Sequence, residues 1–121
     1  MPSPFIVLAI DDDRLVLKLV KSFLERCGYN NVLTASSGTD GLKMASIQPI
    51  DLVVLDYEMP DMNGAVVATA IRRLRPKALI IMLSGDDIPA QIRRMVDAFV
   101  PKHEITTRLL PVLASLGAAA G

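Results

Sequence analysis

The chain contains 121 residues, of which 51% are hydrophobic and 21% are charged, as is typical of one globular domain. Its 13 basic and 13 acidic residues cancel, which argues against broad electrostatic binding to nucleic acid or to an anionic membrane. No apolar stretch approaches the ~20 residues that span a bilayer, and the first four residues lack a basic signal segment. The single cysteine excludes a disulfide framework, so we expect one cytoplasmic domain over residues 1–121.

Short apolar segments recur along the chain and predict five strands. Continuous aliphatic runs of this kind are typical of strands that are covered on both faces, as in a parallel sheet. The predicted strands comprise residues 5–10, 32–35, 51–55, 78–83 and 98–100.

The segments between these strands have helical periodicity, and the alternation predicts a parallel sheet with helices on both faces. The predicted helices comprise residues 14–27, 36–45, 65–75, a short one over 89–96, and 106–116. Pro111 removes a backbone donor and is expected to kink the last helix or to delay its start. The residues from Gly117 to Gly121 are expected to be frayed.

The spacing of apolar residues predicts which face of each helix is buried. In the first helix these residues are Val16, Leu19, Val20, Phe23, Leu24 and Cys27. In the second they are Leu42, Met44 and Ala45, and in the third Val66, Val67, Ala70, Ile71 and Leu74.

Charged or hydroxyl side chains follow four of the predicted strands. Asp11 and Asp12 follow the first and Asp56 the third, whereas Ser84 ends the fourth and Lys102 comes soon after the fifth. The carboxyl ends of parallel strands share one edge of the sheet, so we expect these side chains to lie together. Oxygen ligands suit Mg²⁺, which needs only one or two carboxylates. Without a metal, at least one of the clustered carboxyl groups is expected to have a raised pKa.

Each of these residues also has a simpler interpretation when it is considered alone. A single acidic residue can cap a helix or remain solvated, and Asp13 is expected to cap the helix that begins near Arg14. Lys102 alone could be a solvated loop residue, and Ser84 a turn residue. The prediction of a site therefore depends on the four positions occurring together.

Four segments, each at the end of a predicted strand, strongly resemble the receiver domain of bacterial two-component response regulators. They are Ile10-Asp11-Asp12-Asp13, Leu55-Asp56-Tyr57-Glu58-Met59-Pro60 with Gly64, Met82-Leu83-Ser84-Gly85, and Val100-Pro101-Lys102. The resemblance covers about residues 5–116. It implies a doubly wound α/β fold with a five-stranded parallel sheet of flavodoxin-like strand order 2-1-3-4-5.

The resemblance also implies the chemistry of the site. Asp56 corresponds to the phosphoacceptor, while Asp11 and Asp12 correspond to the acidic pair that binds Mg²⁺, with Asp12 favoured as the direct ligand. Asp56 and the backbone carbonyl of Glu58 would complete the protein ligands of the metal.

Further positions correspond to the residues that sense the phosphoryl group. Ser84 matches the hydroxyl position, Lys102 the lysine and Phe99 the switch aromatic of the family. Phosphorylation is expected to reorient Ser84 and to let the Phe99 ring turn inward. Glu58 and Asp86 add negative charge near the site and are expected to modulate the lifetime of the phosphoryl group.

The sequence departs from the family pattern at the fourth helix and beyond. His103 follows Lys102 where the family usually has proline, so the family's cis peptide bond is not implied here. The interval from Ser84 to Lys102 is shorter than is usual in the family by roughly one helical turn. The fourth helix is therefore expected to be truncated or irregular.

These observations predict a stand-alone receiver domain and not an enzyme that acts on an independent substrate. It would take a phosphoryl group from a histidine kinase or phosphotransfer protein and act through a downstream protein partner. One alternative is a degenerate receiver that serves only as a binding module. Another is a Mg²⁺-dependent aspartyl phosphatase, although such enzymes usually have a second aspartate where Glu58 stands here.

Overall fold

A computed structural model describes residues 4–118, in which strands and helices alternate along the chain. The described residues form one parallel sheet with the order β2-β1-β3-β4-β5, which confirms the predicted fold class. The strands are β1 (Ile6–Ile10), β2 (Asn31–Ala35), β3 (Leu52–Asp56), β4 (Leu79–Ser84) and β5 (Ala98–Pro101). All five residues of β3 are buried because this strand lies in the centre of the sheet.

Five α-helices connect or follow these strands within the described residues. They are α1 (Arg14–Arg26), α2 (Gly38–Ile47), α3 (Gly64–Leu74), α4 (Ala90–Arg93) and α5 (Ile105–Ser115). The side chain of Asp13 caps α1 by accepting the backbone N–H of Leu15 at 2.9 Å, as predicted. No helix in this part of the chain is long and apolar enough to cross a bilayer.

The fourth helix is a single turn, which confirms the expected shortening. It ends at Arg93, so the predicted extension towards Val96 is wrong. None of its four residues is buried, and no side chain caps its N-terminus. A single 3-10 turn, Lys102–Glu104, joins β5 to α5, and no peptide bond is cis between residues 4 and 118.

The two faces of the sheet are covered by separate apolar clusters. One cluster packs β1, β3 and β4 against α1 and α5, for example through Leu24 and Leu109. The other packs the opposite face against α2 and α3, for example through Ala45 and Ile71. This two-sided burial fixes the sheet, and with it the edge at which the strands end.

Several residues that were predicted to face inward are exposed. Leu19 is 43% exposed, while Leu17, two residues earlier, is buried in α1. In α3 the predicted inward positions Val67 and Ile71 are buried, whereas Val66 and Leu74 are 57% and 41% exposed.

The C-terminal region also differs from the prediction. Pro111 lies inside α5 without delaying its start, because the helix begins at Ile105. The expected fraying is wrong at Ala118, which is buried and whose carbonyl accepts the Tyr29 hydroxyl at 2.6 Å. Residues 119–121 lie outside the described part of the chain.

Candidate functional site

The carboxyl ends of four strands bring the predicted site residues together. Asp11 directly follows β1, Asp56 and Ser84 are the last residues of β3 and β4, and Lys102 directly follows β5. Asp11 and Asp56 are each 2% exposed and Ser84 is 1% exposed. The parallel register places Asp56 opposite Leu83, so the two neighbouring strands end at nearly the same level.

Three carboxyl groups lie close enough to share one cation. One oxygen from each of Asp11, Asp12 and Asp56 lies within 4.8 Å of the other two. Asp12 is exposed, whereas the other two side chains are buried. An all-oxygen set of this kind is typical of a Mg²⁺ site.

Each buried carboxylate uses one oxygen in a backbone hydrogen bond, and its other oxygen could bind a ligand. Asp11 Oδ1 accepts the backbone N–H of Asp13 at 2.9 Å, and Asp56 Oδ1 accepts that of Glu58 at 3.3 Å. Among the described residues, Asp56 Oδ2 has no hydrogen-bond donor although it is buried. A buried carboxylate oxygen without a donor is costly unless a cation or another ligand compensates it, so the site fits a metal.

Lys102 bridges the two buried carboxylates. Its Nζ lies 3.1 Å from Asp11 Oδ2 and 3.2 Å from Asp56 Oδ1. The sequence predicted that these side chains lie together, but it did not predict that Lys102 is shared between two acids at nearly equal distances. The Asp11 contact is an ion pair without hydrogen-bond alignment, so Asp11 Oδ2 also lacks an aligned donor among the described residues.

Burial and neighbouring charges shift the pKa values of Asp56 and Lys102. Burial raises the pKa of Asp56 to about 7, the negative charge of Asp11 adds to that rise, and Lys102 partly offsets it. Burial lowers the pKa of Lys102, but contact with the Asp11 and Asp56 carboxylates outweighs this effect, so that the lysine pKa is raised overall. The raised pKa of one clustered carboxyl group is the behaviour expected of this site without a metal.

Ser84 and the two predicted modulating acids lie at or just after the ends of β3 and β4. The Ser84 hydroxyl oxygen accepts the backbone N–H of Asp86 at 3.1 Å, which ties it to the turn after β4. The side chains of Glu58 and Asp86 are exposed.

The loop between β3 and α3 (residues 57–63) is closed at its base by a close backbone approach. The Gly64 N–H donates to the Tyr57 carbonyl at 2.8 Å. A Cβ at position 64 would lie 2.7 Å from the Asp56 carbonyl oxygen and 2.7 Å from the Tyr57 Cα. Only glycine fits there without moving the strand end that holds Asp56.

The predicted switch residue Phe99 is half-buried in β5 and has a partner that the sequence does not reveal. The guanidinium carbon of Arg93 lies 4.6 Å from the centroid of the Phe99 ring, within the range of a cation–π contact. Arg93 also lies 3.5 Å from an Asp87 carboxylate oxygen. Arg93 is the last residue of the single-turn α4, so no periodic pattern in the sequence indicates this contact.

Comparison with known proteins agrees with this geometry. The model of the response regulator receiver domain family matches residues 7–110, a span that contains all of the site positions described above. The chain is 37% identical over 81 residues to the alkaline phosphatase synthesis transcriptional regulatory protein PhoP of Bacillus subtilis. That alignment covers 67% of this chain but 33% of PhoP, so the chain spans about a third of the length of this relative.

Solved structures resemble the chain over nearly its whole length. The response regulator protein TrrA of Thermotoga maritima, in complex with Mg²⁺–BeF, has a TM-score of 0.85 and 31% identity. The chemotaxis protein CheY4 of Vibrio cholerae has a TM-score of 0.85 and 27% identity. Each comparison covers 93% of this chain and 98% of the other.

Proposed function

The chain belongs to the response regulator receiver domain family, and on that premise we propose that Asp56 accepts a phosphoryl group with Mg²⁺ bound. A receiver domain is a signalling module and not a classical enzyme. The observation that supports this proposal most strongly is the buried Asp56 carboxylate. It lies beside two further acids and 3.2 Å from the Lys102 ammonium group.

The residues that would bind the metal are those of the carboxylate cluster. The side chains of Asp11, Asp12 and Asp56 provide oxygen atoms within 4.8 Å of one another, and the Glu58 carbonyl is proposed as a further ligand. When bound, Mg²⁺ would supply positive charge for the carboxylates and for the oxygens of an incoming phosphoryl group.

The reaction is an exchange of one bond to phosphorus for another. An Asp56 carboxylate oxygen forms the new P–O bond while the bond to the leaving group breaks, and the leaving group retains that electron pair. Lys102 is near enough to Asp56 to pair with a phosphoryl oxygen after transfer. The Ser84 hydroxyl would donate a hydrogen bond to another of these oxygens.

Receiver domains interact with histidine kinases, and we infer that a phosphohistidine of a kinase or phosphotransfer protein is the donor here. The imidazole nitrogen would then be the leaving group. The switch would proceed as Ser84 moves towards the phosphoryl group, shifts the turn at Asp86 and allows Phe99 to turn. A downstream protein partner would recognise the changed surface.

Intact mass measurement after incubation with acetyl phosphate and Mg²⁺ tests the proposal. We expect one added phosphoryl group in the wild-type protein, and none in Asp56→Asn or when Mg²⁺ is chelated. Asp13→Asn is a matched control, because it removes a neighbouring charge while asparagine still caps α1. A wild-type protein that stays unmodified would support the degenerate binding module instead. Many turnovers of a phosphomonoester would support the phosphatase.

A further inference from the structure

The side chain of Asp61 connects the β3–α3 loop to the beginning of α2. Its Oδ1 accepts the backbone N–H of Gly38 at 3.2 Å. Its Oδ2 accepts both the backbone N–H and the hydroxyl of Thr39, each at 3.1 Å. One exposed carboxylate therefore makes three hydrogen bonds to a segment more than twenty positions earlier in the chain.

Little else orients the middle of this loop. Within the described chain, the hydrogen bonds that join residues 58–62 to an element other than β3 all come from Asp61. Met59 and Met62 add partly buried apolar contacts with the cluster under α2 and α3. Apolar contacts of methionine adapt easily to a shift, whereas the carboxylate contacts are directional.

The first residue of α2, Gly38, allows the loop to approach the helix closely. A Cβ at position 38 would lie 3.0 Å from Met62 Cβ and 3.0 Å from Val67 Cγ2, so glycine allows the loop to approach closely. The hydrogen bonds from the backbone of Thr39 and of Gly38 lower the pKa of Asp61. The carboxylate therefore remains charged at neutral pH, and its position at the N-terminus of a ten-residue helix is favourable.

We propose that Asp61 is a positioning residue for the metal site. By bonding to Gly38 and Thr39, it keeps the β3–α3 loop in the conformation that presents the Glu58 carbonyl beside Asp56. The loop leaves the strand at Asp56, and its second residue is Glu58, so a displacement of the loop would move this ligand directly. The inference rests on the proposed function, because it assigns to Asp61 a role in the metal affinity of that site.

Calorimetric titration of Mg²⁺ into the full chain tests the role of Asp61. We expect Asp61→Ala to bind Mg²⁺ about tenfold more weakly than wild type, the lower end of the loss seen when groups that orient metal ligands are removed. Asp61→Asn keeps one acceptor oxygen and should recover part of the affinity. Asp40→Ala is the matched control: it removes one exposed carboxylate from the same helix end without touching the loop, and should retain wild-type affinity.

Thermal unfolding and amide NMR distinguish positioning from a purely structural role. The amide signals of Glu58 should shift in metal-free Asp61→Ala and remain in place in Asp40→Ala. A lowered melting temperature with unchanged Mg²⁺ affinity and unchanged Glu58 signals would overturn the inference. Gly38→Ala, which keeps Asp61 but crowds Met62, should weaken Mg²⁺ binding in the same direction. If wild-type protein failed to bind Mg²⁺, the proposed function would fall as well, whereas wild-type affinity in Asp61→Ala would refute only this inference.

Discussion

The acidic pocket and the β4–β5 connection are built in opposite ways. Asp11 and Asp56 are almost fully buried at the ends of central strands, and Lys102 links them within 3.2 Å. The connection between β4 and β5 contains α4, a single turn with no buried residue. The difference shows that the pocket is held by the buried ends of central strands, whereas α4, beside Phe99, has one partly buried side chain, Ile92, and otherwise exposed ones.

This difference also separates two kinds of constraint on the sequence. A residue of the pocket is restricted by burial and by the charges around it. Three of the four residues of α4 are exposed, and Ile92 is partly buried against one apolar cluster, so burial restricts this helix less than it restricts the pocket. Regions with few buried contacts are also those that open most readily.

The largest expected effect is on the free energy of unfolding, which should fall more for a substitution in the central sheet than for one in α4. Leu8 is completely buried in β1, and Ile92 is partly buried in α4 against the same cluster. We expect Leu8→Ala to lower the free energy of unfolding by about 2–5 kcal/mol, and Ile92→Ala by about 1 kcal/mol or less. Urea denaturation measures both values, and equal losses would contradict the contrast.

The stability of the metal-free protein should change with pH because Asp56 in the pocket gains or loses a proton. Asp56 has a pKa of about 7 in the folded protein, whereas an unperturbed aspartate has about 3.9. The folded state therefore binds the proton more tightly, so this group stabilises the metal-free fold below about pH 4. That contribution is lost as the pH rises from about 4 to 7, by as much as about 4 kcal/mol.

Denaturation of metal-free protein between pH 4 and pH 8 tests this behaviour. The decline should be flatter in Asp56→Asn, which cannot ionise, and unchanged in Asp87→Asn, whose side chain is 96% exposed. Protons compete with a cation for Asp56, so Mg²⁺ affinity should increase as the pH rises towards 7. A wild-type profile identical to that of Asp56→Asn would contradict the assigned pKa.

The smallest effect is expected near Phe99, the predicted switch residue. Arg93→Ala removes the cation–π contact with Phe99, and because Arg93 is exposed we expect a stability change of at most about 1 kcal/mol. The ring should become more mobile, which NMR of labelled Phe99 would detect, while phosphorylation by acetyl phosphate stays unchanged. Arg94→Ala removes an adjacent exposed arginine and is the control. A loss of phosphorylation in Arg93→Ala alone would show that the two regions are coupled more tightly than their contacts indicate.

The central strands β1, β3 and β4 were predictable because they are continuous aliphatic runs, whereas the strand order was implied by the family resemblance. The helix faces were less predictable. Apolar periodicity marks a wide stripe, but the contacts with the sheet decide which part of it is buried. In α1 these contacts select Leu17 over Leu19, and in α3 they select Val67 over Val66.

Within the site, the position of each residue at a strand end was predictable, but its partners were not. Lys102 could be placed near the clustered acids, yet its nearly equal distances from Asp11 and Asp56 depend on the arrangement of three separate strands. Asp61 gives no sign in the sequence of its bonds to α2, since an acidic loop residue can cap any nearby helix. The roles assigned to Glu58, Asp86 and Phe99 remain predictions.

The sharing of Lys102 between two acids has a consequence for the binding of a phosphoryl donor. When every group is ionised, three carboxylates and one ammonium group leave two uncompensated negative charges in the pocket. A phosphoryl donor is itself an anion and would be repelled by that excess. A single divalent cation cancels it, so a bound cation removes the charge repulsion that an anionic donor would otherwise meet in the pocket.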